Sequence, residues 1–228
     1  MSPTRFIISK VCDHTLLVQP ESKARPIVLD CGANRGRFAE WAANTLGAHV
    51  YSFEADPTLA SEMPRNDYVT VINAAIADRD GSVTLYKSDN LDASSFFGPQ
   101  SSSAFQVASR SIDSFVQEKR IPAIDLIKID IEGWELPVLE TLSASVINST
   151  KQITCEFHDF LDRGQIPRIR RIISNFQDRG WFVVNMAIRT YGDVLFINQS
   201  LLPLTFLHRA RICIHKYASA VMRVYGRL

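Results

Sequence analysis

At 228 residues, with 46% hydrophobic and 21% charged positions, the chain has the composition of one globular domain with a sizeable core. No uninterrupted run of about 18 apolar residues offers a membrane span, and Asp13 and His14 interrupt the only early apolar run, so no secretory leader is expected. Cys12, Cys31, Cys155 and Cys213 stand apart without C-x-x-C spacing, which suits reduced thiols and a cytoplasmic setting.

The predicted elements alternate along the chain. Ile27–Cys31 reads as a short apolar strand running into a loop with two glycines, Gly32 and Gly36. A helix over Gly36–Thr45 leads to a second strand, His49–Glu54, whose last residue is an acid eighteen positions after Gly36. Val69–Ala75 follows as a strand, and Asp80-Gly81 before Val83–Tyr86 suggests a small hairpin. Residues 88–106 are serine-rich and carry Phe96, Phe97 and Phe105, which marks a lid rather than a floppy insert. Asp113 is expected to cap a helix around Ser114–Glu118. Strands at Ile124–Ile131 and Gln152–His158 alternate with helices at Leu136–Leu142 and Pro167–Arg179. Trp181–Ala187 and Val194–Ile197 are joined by Ile188–Asp193, too short for a crossover helix, so they form an antiparallel hairpin. The layout is α/β: a doubly wound, seven-stranded, mainly parallel sheet of five parallel strands closed by that hairpin.

A strand, a glycine-bearing turn, a helix and an acid at the next strand tip form half of a nucleotide-binding unit. The loop Asp30-Cys31-Gly32-Ala33-Asn34-Arg35-Gly36 lacks the third glycine of a dinucleotide fingerprint and begins with a carboxylate that would repel a pyrophosphate. That carboxylate suits the α-ammonium of S-adenosylmethionine, whose own carboxylate can sit on the loop N–H groups and the helix start. Glu54 is placed to accept from both ribose hydroxyls. Asn73 and Ala74, ending the third strand, leave room for an adenine and offer an amide to its edge.

The runs Asp30-x-Gly-Ala-Asn-x-Gly36, Phe53-Glu54-Ala-Asp-Pro57, Asn73-Ala-Ala-Ile-Ala77, Ser111-Ile-Asp113 and Leu126-Ile-Lys-Ile-Asp-Ile-Glu-Gly133-x-Glu135 resemble those of FkbM-type methyltransferases over residues 26–160. Lys128-Ile-Asp130-Ile-Glu132-Gly133-Trp-Glu135 is the most specific of them. The resemblance implies a class I methyltransferase (Rossmann-like) fold over residues 1–200, S-adenosylmethionine as cofactor, and O-methylation of a hydroxyl on a small molecule, sugar, glycan or lipid. Arg35 departs from the family pattern and is read as variation at the helix start.

In open α/β sheets, ligands bind at the carboxyl ends of the strands, which makes Asp30, Glu54, Asn73, Asp130, Glu132, Glu156 and His158 the candidate residues. An alcohol acceptor must lose a proton to a base or to a metal-bound environment. Either His158 or Glu156 takes it directly, or Asp130, Glu156 and His158 hold Mg²⁺ against the acceptor oxygen. Asp130 can instead meet the methionine part of the cofactor, together with Gly32, Ala33, Asn34 and Gly36. Lys128 shares a strand face with Asp130 and Glu132 and is expected in a structural ion pair. For Glu135 the default is an acid in the first turn of a helix.

The net charge of +1 hides an asymmetry. No acid follows Asp193, whereas Arg209, Arg211, Lys216, Arg223 and Arg227 do. That leaves 20 basic against 24 acidic residues before it, so the body carries −4 and the tail +5. Within residues 201–228, Leu204, Leu207, Ile214, Ala218, Val221 and Tyr225 follow helical spacing, with Arg209, Lys216 and Arg223 on another face. Two readings stay open for this basic amphipathic helix: peripheral contact with the inner membrane surface or a partner, or packing on its own domain. The acidic body speaks against a nucleic-acid partner. The competing functions are a degenerate methyltransferase fold serving as a binding module and, with less support, an NAD-linked oxidoreductase.

Overall fold

The structure, a computed structural model, describes residues 6–19, 24–87, 94–95 and 104–225. It begins with a hairpin that the apolar pattern does not announce, β1 (Ile7–Val11) and β2 (His14–Val18). Its turn residues Cys12 and Asp13 both take positive φ, 45° and 65°, the left-handed geometry that a two-residue turn between twisted strands requires. The hairpin is tied to the body by side chains. Gln152 accepts from Leu17 N at 3.0 Å and donates to Leu17 O at 2.8 Å, standing in for a strand ladder, and Asp193 accepts from Thr15 N and Oγ1 at 2.9 and 2.7 Å.

The body follows as β3 (Ile27–Cys31), α1 (Arg37–Leu46), β4 (His49–Glu54), α2 (Pro57–Glu62) and β5 (Val69–Asn73). Next come β6 (Ala75–Ile76), β7 (Gly81–Lys87), β8 (Ser94–Ser95), β9 (Ala104–Arg110), α3 (Ile112–Lys119), β10 (Leu126–Ile129), α4 (Glu135–Thr141) and α5 (Ala144–Ser149). The chain closes with β11 (Gln152–Cys155), α6 (Ile166–Asp178), β12 (Trp181–Asn185), β13 (Val194–Asn198) and α7 (Phe206–Tyr225). The main sheet has seven strands in the order β12-β13-β11-β10-β3-β4-β5. Its pairs are parallel from β11 to β5, and β13 runs antiparallel to both its neighbours.

Alternation along the central strands sorts the core. Leu29, Cys31, Ile127 and Ile129 pack with α3, α4 and α6 on one face, while Val28, Val50 and Leu126 meet Phe38, Ala39 and Ala42 of α1 on the other. Strands buried on both faces read as nearly continuous apolar runs, which is why their positions are plain in the sequence.

Four expectations need correction. Ladder pairing stops at Ile129 and Cys155, short of Ile131 and His158, because the chain leaves the sheet to build the site. Asp80-Gly81 does not turn a hairpin: in a second sheet ordered β6-β9-β7-β8, β9 lies between β6 and β7. Asp80 accepts instead from Ser111 N and Ser114 Oγ. Of the expected lid, Phe96 and Phe97 lie outside the described residues, whereas Phe105 belongs to β9, opposite Leu85. Ser111, not Asp113, caps α3; Asp113 accepts from Ser143 N, the N-cap of α5.

Candidate active site

The glycine loop is shaped by a close backbone approach. Gly32 has φ +80°, and a Cβ there would fall 1.7 Å from the Asp130 carbonyl oxygen, a space no side chain fits. Gly32 N and Ala33 N both donate to Phe53 O, at 3.0 and 2.8 Å, which binds the loop to the tip of β4. Gly36, at φ +76°, starts α1. Arg35 pairs with Glu62 on the surface at 3.2 Å, away from the loop interior.

Glu54 is buried, and its carboxylate accepts from Asn34 N at 2.7 Å and from Asp56 N at 2.8 Å. Burial raises its pKa while those two hydrogen bonds oppose the rise. One backbone donor per oxygen leaves each oxygen a free lone pair, and Glu54 lines a cavity of about 580 Å³ with Gly32, Asn34, Ala74, Ile76 and Asp130. Asn73 does not line it. Its amide donates to Glu54 O and Ala55 O, at 2.9 and 3.2 Å, bracing the strand tip rather than presenting an edge to a base.

Asp30 also departs from expectation. The strand register sets it beside Lys128, and it is fully buried 3.4 Å from Lys128 Nζ, outside the lining of either cavity at the loop. Desolvation raises its pKa against the pull of Lys128. Lys128 also donates to Gly32 O and lies 3.5 Å from Asp130. It is the expected structural ion pair, made with two acids; although burial alone would lower its pKa, both carboxylates raise it. The acid that faces the ligand space is therefore Asp130. Burial pushes against its ionisation, but Lys128, with His14 beside it, holds its pKa well below the carboxylate range.

At the tips of β10 and β11 a carboxylate–imidazole cluster assembles. His158 Nδ1 meets Glu135 Oε1 at 2.9 Å, and its Nε2 lies 3.2 Å from Glu132 and 3.8 Å from Asp130. Burial alone would lower the His158 pKa, yet Glu135 and the other acids raise it to about 9, which favours the protonated ring at neutral pH. Glu156 is the opposite case. Burial and the neighbouring Asp130 charge raise its carboxyl to about 7, the range suited to a proton acceptor.

Two residues in this cluster escape sequence reasoning in their roles. Glu135 is buried, and Oε1 also accepts from Ile131 N at 3.2 Å and Gly133 N at 3.0 Å. It thereby clamps a loop in which Glu132 takes φ +53°, in addition to standing in the first turn of α4 as its position suggests. His14, fully buried at the start of β2, puts Nε2 3.6 Å from Asp130 Oδ2 and Nδ1 3.3 Å from Thr154 Oγ1. Only the helical context of Glu135 was visible beforehand, and a histidine inside a hairpin gives no signal at all.

The expected Mg²⁺ set does not gather as one. Ligand atoms converge as His14, Asp130 and Glu156, and separately as Asp130, Glu132 and His158. The Lys128 ammonium and the protonated His158 ring already face Asp130 and Glu132. A divalent ion would stand against both cations, so the residues do not fit Mg²⁺ well.

An α/β sheet with a glycine loop, a strand-tip acid pinned beside it and a carboxylate–imidazole cluster nearby is the layout of a domain built for a nucleoside cofactor. The pattern described as Methyltransferase FkbM domain matches residues 30–181, and the chain belongs to that family: it is an S-adenosylmethionine-dependent methyltransferase. It is 27% identical over 221 residues to the 2-O-methyltransferase NoeI of Sinorhizobium fredii, covering 82% of this chain and 86% of that protein. It is 21% identical over 162 residues to the hexuronic acid methyltransferase AglP of Haloferax volcanii, covering 69% and 66% of the two. Among solved structures, precorrin-6y C5,15-methyltransferase from Geobacter metallireducens aligns with a TM-score of 0.42 at 13% identity, over 78% of this chain and 81% of that one.

Proposed function

We propose that this enzyme O-methylates a hydroxyl of a sugar-like acceptor and that Glu156 accepts the hydroxyl proton. The observation that carries this reading is the convergence on Asp130. The cavity beside Glu54 and a second cavity of about 860 Å³, lined by Asp13, Arg37 and Lys128 among others, share Gly32, Asn34 and Asp130. One groove thus runs around the glycine loop. Glu54 would hold the ribose, Ala74 leaves room for the base, and the loop N–H groups with Arg37 would receive the cofactor's carboxylate. Asp130 would meet its ammonium. When bound, S-adenosylmethionine supplies an electrophilic methyl group on a sulfonium.

On the acceptor side, Phe160 and Leu161 lie two and three residues after His158 and are 52% and 60% exposed. The Phe160 ring stands 5.4 Å from the His158 ring, an exposed apolar plate at the edge of the cluster that suits the apolar face of a sugar. The acceptor O–H would give its proton to Glu156 as its oxygen bonds the methyl carbon, the carbon–sulfur bond breaking with its electron pair left on the sulfur of departing S-adenosylhomocysteine. Glu135 acts as a positioning residue by holding His158 and the Glu132 loop. Relatives named for 2-O-methylation and for a hexuronic acid support the acceptor class. Among the described residues four cysteines are free, two of them buried, in keeping with a reducing compartment.

Calorimetry distinguishes this reading from an NAD-linked one. S-adenosylhomocysteine is expected to bind and NAD is not; heat from NAD alone would overturn it. Because Lys128 and His158 supply the positive charge in the cluster, exhaustive EDTA treatment is expected to leave turnover unchanged. A loss restored by Mg²⁺ would return the metal to the mechanism.

A further inference from the structure

We infer that α7 is an interfacial helix that seats this enzyme on an anionic lipid surface. One side of the helix belongs to the protein. Ile212 is 2% exposed among Leu17, Met186, Leu202 and Leu204. The His208 ring meets Phe6 edge-on at 4.5 Å, and the Arg209 guanidinium lies 5.5 Å from the Phe182 ring centre.

The opposite side is equally apolar and, among the described residues, exposed. Phe206, Leu207, Ile214 and Tyr217 are 84%, 75%, 68% and 62% exposed. With 3.6 residues per turn, these four positions fall within an arc of about 100°, centred nearly opposite Ile212. They are surplus to the core, since the helix is already docked through its other face. An exposed apolar stripe of this kind marks an interaction site.

Charge identifies what covers it. The sequence holds no acid after Asp193, while Arg209, Arg211, Lys216, Arg223 and Arg227 lie there. An anionic bilayer offers a flat apolar layer beneath a sheet of negative headgroups, matching the stripe and the exposed Arg211 at its edge. Among the described residues no helix is long and apolar enough to cross a membrane, so α7 would lie in the interface.

Flotation of the full chain with vesicles tests this. Vesicles of phosphatidylcholine with phosphatidylglycerol are expected to carry the protein upward, pure phosphatidylcholine is not, and high salt is expected to release it. Leu207→Glu with Ile214→Glu, both at exposed positions, is expected to cut the floated fraction about tenfold or more. The thermal shift given by S-adenosylhomocysteine should stay unchanged in that variant, which separates this result from loss of fold or of the cofactor site. Absence of flotation, equal flotation on neutral vesicles, or retention by the double variant would overturn the inference. So would a wild-type dimer that the double variant dissolves, since the stripe would then be a self-association face.

Discussion

Glu156→Gln is expected to lower methyl-transfer turnover by roughly 10²–10⁴-fold, the usual worth of a positioned proton acceptor, with affinity for S-adenosylhomocysteine unchanged. The amide keeps the shape of the side chain and removes only its basicity. In the wild type, the rate should climb as pH rises through about 7, where Glu156 loses its proton. It should fall again through about 9, where His158 gives up the charge that holds Glu132 and Glu135. The variant should lack the lower inflection.

Stability gives an independent reading of the same group. The Glu156 carboxyl titrates near 7 when folded, against the ordinary 4.5. Between those values the unfolded chain has released the proton and the folded chain retains it, so the folded state loses stability as pH rises to 7 and remains disadvantaged above. Glu156→Gln removes that penalty. Its Tm is expected to exceed the wild type at pH 8 and to match it at pH 4. Full turnover in the variant, or an unchanged Tm difference across that range, would move the proton acceptor elsewhere.

Gly32→Ala is expected to abolish cofactor binding and destabilise the fold. Left-handed φ costs a side-chain-bearing residue about 1–2 kcal/mol, and here the added Cβ also collides with backbone, 1.7 Å from the Asp130 carbonyl oxygen. Backbone cannot rotate away as a side chain can. Relief requires parting the loop from β10, which separates Gly32 O from Lys128 and disturbs the Lys128 pairs with Asp30 and Asp130. Melting curves with and without S-adenosylhomocysteine check this: a lower Tm and no ligand shift are expected. Gly47→Ala is the control, because a Cβ there meets nothing although φ is also positive, at 62°.

Much of this was visible in the chain itself, for physical reasons that also explain what was hidden. The strands at Ile27–Cys31 and Val194–Asn198 are apolar but for Asp30 and Asn198 because both faces are covered, and in His49–Glu54 the apolar residues are broken by Ser52. The alternation of Lys128 with Ile127 and Ile129 already required a buried partner for the lysine. That Asp30 would be consumed in this pair, leaving Asp130 to face the groove, depends on the register between two strands nearly a hundred residues apart. The β1–β2 hairpin lacks a glycine turn and buries His14 and Thr15, whose partners Thr154 and Asp193 are distant in sequence. The bond between Glu135 at the start of α4 and His158 in the loop after β11 likewise joins separate segments, and local spacing carries no trace of it.

Transfer of a labelled methyl group bears most directly on the proposed chemistry. The protein is incubated with methyl-labelled S-adenosylmethionine and a panel of neutral oligosaccharides, and the product is mapped by nuclear magnetic resonance. The expected result is label on a sugar-ring oxygen, with one S-adenosylhomocysteine formed per methyl transferred. Label on nitrogen or carbon, or no transfer to any sugar hydroxyl by protein that binds S-adenosylhomocysteine, would contradict it.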